Sequence, residues 1–295
     1  MRILFMGTPE FALESLKALH GARHEICGAF TRPDAPKGRG MKLFASPVKE
    51  YAAENDIAVF QPVKLRDGSA RDIITNLAPE LIVVAAYGRI LPPDLLSMPP
   101  YGCINVHASL LPRLRGAAPI NWAIAGGEIE TGITIMYMAA ELDVGDIILQ
   151  KSTTIGERET AGGLHDRLMS IGAKLLLEAV QHIADSSVSS VAQDHSKATY
   201  APILSKNDSL IDCEKPALSI DRLIRGMNPW PGARLGNLII HSAEPVETTF
   251  DAKPGEIMPG GFLICGDGCA LRLLEVQAPG ARRMSYDDFE RGRRV

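Results

Sequence analysis

The sequence predicts an α/β fold, a doubly wound and mostly parallel sheet, followed by a smaller C-terminal barrel of short strands. Three observations carry this. Apolar runs of strand length alternate with helical periods across the first half of the chain. One of them, Leu81-Ile82-Val83-Val84-Ala85-Ala86, is apolar throughout, as a strand covered on both faces must be. After Lys206 helical periodicity fades, and short β-like runs appear between Gly and Pro residues.

Taken in chain order, Arg2–Met6 reads as a buried strand, and Thr8-Pro9-Glu10 supplies an N-cap, a proline at the first helical position and an acid in the first turn. A helix to about His20 follows, with Leu13, Leu16 and Leu19 on its inner face. A strand over 25–30 and a helix over 48–55 come next, then the central strand ending at Tyr87-Gly88. Residues 102–107 and 132–138 read as further strands. A long helix over 160–184 carries Leu164, Leu168, Ile171, Leu175 and Ala179 on one face. The Ser-rich stretch 185–196 reads as a connection. A short helix over 218–227 precedes strands at 235–241, 255–258, 261–265 and 270–276. These patterns predict domains at 1–188 and 206–295, joined by a linker at 189–205.

Composition narrows the class. At 295 residues, with 46% hydrophobic and 22% charged side chains, the chain can bury two cores. No run approaches a membrane helix, and the N-terminal apolar segment meets Gly7 and Pro9 before a signal peptide could form. Cys27, Cys103, Cys213, Cys265 and Cys269 are scattered, which fits reduced thiols in a cytoplasmic protein. A net charge of −4 gives no global pull on nucleic acid, so RNA contact would need local clusters. One such cluster, Arg32, Lys37, Arg39, Lys42 and Lys49 against Asp34, lies between Thr31 and Lys49. His20 and His24 have i,i+4 spacing but no third ligand, so no metal is expected there. The loop after the first strand lacks the further glycines of a dinucleotide site.

Ligands of such sheets sit beyond the carboxyl ends of the strands. On the strand 102–107, Asn105 and His107 alternate onto one face. Two polar groups on an otherwise apolar strand, followed by a loop with two prolines and two arginines, mark the expected crevice. Asp143 and Asp146 flank a Gly turn after the strand 132–138, a position that by itself suits a turn residue as well as a functional one.

Asn105-Val106-His107-Ala108-Ser109-Leu110-Leu111-Pro112 resembles the Asn-x-His-x-Ser-Leu-Leu-Pro signature of formyltransferases that use 10-formyltetrahydrofolate. Leu142-Asp143-Val144-Gly145-Asp146 resembles their Asp-x-Gly element. The resemblance implies the Rossmann-like formyltransferase fold with an OB-like second domain, and it makes Asn105, His107 and Asp143 the catalytic residues. Asn105 and a protonated His107 would donate hydrogen bonds to the oxyanion formed when an amine attacks a formyl carbon, with His107 as proton shuttle beside Asp143. The folate co-substrate would lie against Tyr87, Gly88, Arg89, Ile90 and Leu91, and against Ser109, Leu110, Leu111, Pro112 and Leu142.

Three segments narrow the acceptor. Gly7-Thr8-Pro9-Glu10-Phe11-Ala12, the loop from Arg32 to Lys49 and Asn228-Pro229-Trp230-Pro231-Gly232 resemble the members that formylate methionyl initiator tRNA. By that resemblance Lys37, Arg39 and Lys42 would enter the acceptor stem, and Lys206, Arg282 and Arg283 would contact tRNA from the second domain. That domain holds 12 Lys+Arg against 13 Asp+Glu, so binding would rest on one basic face. Near the end, Gln277-Ala278-Pro279-Gly280-Ala281-Arg282-Arg283 reorders the usual segment and replaces lysine by arginine, keeping its charge. Two other acceptor or functional classes compete: a nucleotide-linked amino sugar, and non-catalytic RNA or folate binding. A monomer without metal is expected.

Overall fold

The computed structural model describes residues 1–37, 42–247 and 250–293. Two compact units each draw on several stretches of sequence. One comprises Met1–Gly116, Thr131–Thr153 and His165–Tyr200; the other comprises Ala117–Glu130, Thr154–Leu164 and Ala201–Val295.

The first part of the chain runs through β1 (Arg2–Gly7), α1 (Glu10–Gly21), β2 (Glu25–Phe30), β3 (Ala35–Lys37), β4 (Lys42–Phe44), α2 (Pro47–Glu54) and β5 (Val59–Phe60). It continues through α3 (Ser69–Leu77), β6 (Leu81–Ala85), α4 (Pro93–Leu96), β7 (Cys103–His107), β8 (Arg115–Gly116), α5 (Pro119–Ala125), β9 (Glu130–Tyr137), β10 (Ile147–Thr154) and α6 (Ala161–Ala184). Among the described residues the main sheet has the order β10-β9-β7-β6-β1-β2-β5. β1 pairs in parallel with β2 and β6, and β6 with β7, whereas β9 runs antiparallel to β7. The chain leaves β1 toward one edge and returns on its other side at β6, so a topological switch point lies beside β1 and opens at the carboxyl ends of the parallel strands. All five residues of β6 are buried, as its unbroken apolar run requires.

Local chemistry sets the element ends. Thr8 does not cap α1; Pro9 occupies the cap position without a side-chain hydrogen bond, and Thr8 Oγ1 instead accepts from the Arg32 N–H at 3.3 Å. Ser46 does cap α2, accepting from the Lys49 N–H at 3.1 Å. The expected inner face of α1 holds for Leu16 and Leu19, while Leu13 is only half-buried. On α6, Leu164, Leu168, Leu175 and Ala179 are buried and Ile171 is half-buried. No helix among the described residues is long and apolar enough to cross a membrane.

The later part contains β11 (Tyr200–Ala201), α7 (Ala217–Gly226), β12 (Ala233–Leu235), β13 (Leu238–Val246), β14 (Ile257–Met258), β15 (Phe262–Ile264), β16 (Ala270–Gln277), β17 (Met284–Ser285) and α8 (Tyr286–Arg293). The strand expected at 235–241 is divided: β12 and β13 form a hairpin about Gly236, which takes the left-handed conformation the tight turn needs (φ 57°). Sheet order is β12-β13-β16-β15-β14, with β17 on β16. Register shifts around Ser242 in β13 bend the sheet, giving the curled antiparallel, OB-like architecture the sequence predicts. Ala217, Ile220 and Ile224 of α7 share its core with Ile240, Leu263, Leu271, Leu273 and Val276. Asp221 on the same helix is almost fully buried and takes Arg158 Nη1 on one oxygen and Arg225 Nε on the other, both at 2.9 Å.

Candidate active site

β7 delivers its two polar side chains to the carboxyl end of the sheet. Ile104 and Val106 are buried on one face, and the alternation places Asn105 and His107 together on the other, beyond the buried Cys103. Asn105 pairs in register with Val84 of β6 and Met136 of β9, so both neighbours fix its backbone. Its side-chain amide is half-buried and has no hydrogen-bond partner among the described residues. A polar group held on a rigid strand without a partner is available to a ligand.

His107 is buried, with Nε2 3.0 Å from the Leu114 carbonyl and Nδ1 3.6 Å from Asp143 Oδ2. A carbonyl only accepts, so Nε2 is the donor of this pair, and Nδ1 is the ring nitrogen that faces the carboxylate. This refines the expected geometry: Nε2 already donates to Leu114, which leaves Asn105 as the unengaged donor.

Asp143 is buried and adopts a left-handed backbone (φ 55°), which Asp tolerates better than most residues. Its Oδ2 accepts from the Gly116 N–H at 2.8 Å, while Oδ1 has no partner among the described residues. Gly145 follows because a Cβ there would lie 1.8 Å from the Tyr137 carbonyl oxygen. Asp146 is exposed on the far side of this turn.

The signature loop after β7 is held by Ser109 from within and by side chains of β9 and β10. Ser109 is fully buried, and its Oγ donates to the Arg113 carbonyl at 2.7 Å. Thr134 Oγ1 donates to Ser109 O at 2.7 Å and accepts from Leu111 N–H at 3.1 Å; Gln150 Nε2 donates to Leu111 O at 2.9 Å. The Ser109 hydroxyl and the Leu111 backbone thus fix the loop, and both side chains are buried, whereas Leu110 and Pro112 are half-buried and Leu142 is exposed.

Beyond β6 the expected folate stretch divides similarly. Tyr87 and Leu91 are core residues, and Tyr87 Oη finds no partner among the described residues. Burial pushes its hydroxyl pKa up, with Arg89 and Arg32 pulling it partly back. Gly88 and Ile90 are exposed. Arg32, Lys64, Leu65, Arg66, Arg89 and Ile90 line a cavity of about 580 Å³, four of whose six lining residues are cationic.

The basic candidates are spread. Lys37 and Lys42 are register partners in the antiparallel β3–β4 pair, and Arg39 lies outside the described residues. Lys49 is engaged by Asp34 (2.6 Å) and Gln61 (3.0 Å); Lys49, and Gln61 Nε2 donating to Asp34 Oδ1 at 2.8 Å, hold the Asp34 carboxyl below its usual range. Lys206 and Arg282 are exposed without an ion pair to the described residues, whereas Arg283 is paired with Glu275. His20 and His24 turn to different partners, Tyr51 Oη and the N-terminal amine.

Sequence patterns alone did not single out Gly116, Thr134 or Gln193. Each contributes through contacts with residues distant in sequence, for which periodicity carries no signal.

Comparison with known proteins agrees with this construction. The family model described as formyl transferase matches residues 1–180, and that of the formyl transferase C-terminal domain matches residues 203–294. The chain is 48% identical to a methionyl-tRNA formyltransferase of Pelotomaculum thermopropionicum, over 99% of this chain and 96% of that protein. It is 47% identical to that of Alkaliphilus oremlandii, over 98% and 96%. Its fold is similar to a solved N-formyltransferase from Helicobacter canadensis in complex with folinic acid and dTDP-3-aminofucose, with a TM-score of 0.72, 18% identity and coverage of 92% of this chain and 98% of that one. With both family models matched in order along one chain, and near-half identity sustained almost from end to end, the protein belongs to the formyl transferase family.

Proposed function

We propose that this enzyme transfers a formyl group from 10-formyltetrahydrofolate to the α-amino group of methionyl initiator tRNA, with Asn105, His107 and Asp143 as its catalytic residues. The observation that carries the chemistry is an Asn105 amide with no partner among the described residues, on the same strand face as His107, which is paired with Asp143 at 3.6 Å. The acceptor is supported by relatives named methionyl-tRNA formyltransferase at 48% and 47% identity over nearly the full chain.

The folate supplies an activated formyl carbon. Asn105 Nδ2 donates to the formyl oxygen as negative charge gathers there, an effect worth roughly 10²–10³ in rate for one such donor. His107 Nδ1 takes the proton released by the attacking amine, and the Asp143 carboxylate stabilises the imidazolium so formed. The open Oδ1 of Asp143 can hold a water that passes the proton onward to the departing nitrogen. The Leu114 carbonyl fixes the ring during both steps. The cavity lined by Arg32, Lys64, Arg66 and Arg89 is complementary to the carboxylates of the folate tail, and Ile90 offers apolar surface beside them.

At the RNA end, Lys37, Arg39 and Lys42, with the exposed Lys206 and Arg282, are the contacts we assign. The same reading makes the enzyme a cytoplasmic monomer with free thiols. The deciding experiment incubates the protein with 10-formyltetrahydrofolate and, in parallel, initiator methionyl-tRNA, elongator methionyl-tRNA and a nucleotide-linked amino sugar. Formylmethionyl product on the initiator species is the expected result. Turnover of the sugar amine without tRNA would overturn the acceptor, and no transfer to any amine would leave binding as the function.

A further inference from the structure

Gln193 lies in the Ser-rich stretch expected to be a plain connection, and its neighbours Ala192 and Asp194 are exposed. Gln193 is only 6% exposed. Its amide is saturated at both ends. Nε2 donates to the Asp143 carbonyl at 2.9 Å and the Gly145 carbonyl at 2.8 Å, and Oε1 accepts from Arg115 Nε at 3.2 Å and Nη2 at 2.6 Å. Carbonyls only accept and a guanidinium only donates, so this orientation of the amide is fixed by its partners.

These contacts close a ring on one residue. From the Asp143 carbonyl the path runs through Gln193 to the buried Arg115, along the backbone to Gly116, and back to Asp143 Oδ2 through the Gly116 N–H. Both the backbone and the carboxylate of Asp143 are thereby held relative to β8, next to the Leu114 carbonyl that meets His107 Nε2. An apolar side chain would fill the same buried space without tying Asp143 and Gly145 to Arg115.

We infer that Gln193 is a positioning residue for formyl transfer, setting the Asp143 carboxylate against His107 Nδ1. Because Asp143 takes part in turnover only under the function proposed above, one readout follows the reaction and another does not require it. Gln193→Met keeps length and removes both hydrogen-bonding ends. Gln193→Glu keeps the acceptor for Arg115 but sets carboxylate oxygen against two carbonyls. For each folded variant kcat falls about 10- to 100-fold, the scale of a roughly 1 Å misplacement, while KM for folate and tRNA stays within about twofold. Placed in an Asp143→Asn background, Gln193→Met adds little further loss. In ¹⁵N-histidine-labelled protein, the ring signals of His107, assigned with a His107→Asn variant, change their titration in both variants. Unchanged kcat with unchanged His107 signals overturns the assignment, as does full additivity with Asp143→Asn. Should the parent fail to formylate methionyl-tRNA while its His107 signals still depend on residue 193, the acceptor is wrong and the positioning role stands. If Gln193→Met does not fold, Gln193→Glu decides by the same measurements.

Discussion

Two buried aspartates, one in each unit, serve opposite ends. Asp221 is 1% exposed, and each of its oxygens meets a different guanidinium at 2.9 Å. Asp143 is 8% exposed, and a single oxygen meets both a backbone N–H and the His107 ring, leaving the other open among the described residues. A carboxylate satisfied on both sides by fixed cations has no capacity left for a substrate. One satisfied on a single side, next to an imidazole that can change its charge, retains it. Burial alone therefore does not mark a functional acid; the unfilled valence beside a titratable partner does.

Substitution can break this contrast. Asp143→Ala is expected to lower kcat by roughly 10²–10⁴, the range for losing a proton-transfer partner, with little change in thermal melting. A large loss of melting temperature with normal kcat would reverse the assignment. Asp221→Ala should do the opposite. It leaves the half-buried Arg225 with the Glu159 carbonyl but no carboxylate, at a cost of about 3 kcal/mol in denaturant unfolding, while activity per folded molecule is retained.

Finer tests sharpen the same division. Asn105→Ala should cost roughly 10²–10³ in kcat without affecting unfolding. Lys206→Ala and Arg282→Ala should each weaken tRNA binding and lower the slope of log affinity against log salt by about 1, with kcat at saturation preserved. Each unit also contains its own reporter thiol. Burial pushes the Cys103 and Cys265 thiols up to about 12, so both resist alkylation at pH 8 while folded. Asp221→Ala should speed alkylation of Cys265 and leave Cys103 protected, which mass spectrometry of the labelled peptides distinguishes.

How much of this was legible depended on the range of the interactions involved. The apolar run of β6 and the alternation on β7 are local, and the sheet and the shared face of Asn105 and His107 follow from them. The role of Asp143 entered only through resemblance, since an Asp before a Gly turn has no unique meaning. Helix α8 escaped notice because its sequence is dominated by charge, with Tyr286 and Phe289 as its only apolar anchors. Gln193 had no local signature at all, because its partners lie between 48 and 78 residues away. Ser109 illustrates the converse: it belongs to a recognisable signature, yet its hydroxyl is turned into the loop.

The discontinuous make-up of the second unit bears on how these enzymes can be taken apart. Helix α5 precedes β9 in sequence, yet its Trp122 and Ala125 pack on the core built around α7 and β13, and Asn121 Nδ2 donates to the Gly226 carbonyl at 2.8 Å. Arg158, from another early segment, neutralises Asp221. A C-terminal graft that begins after residue 188 would thus arrive with one wall of its hydrophobic interior missing and one carboxylate half-compensated. Recombination between relatives should succeed only when residues 117–130 and 154–164 travel with the sheet, so the inherited module is spatial, and no single cut in the gene delivers it.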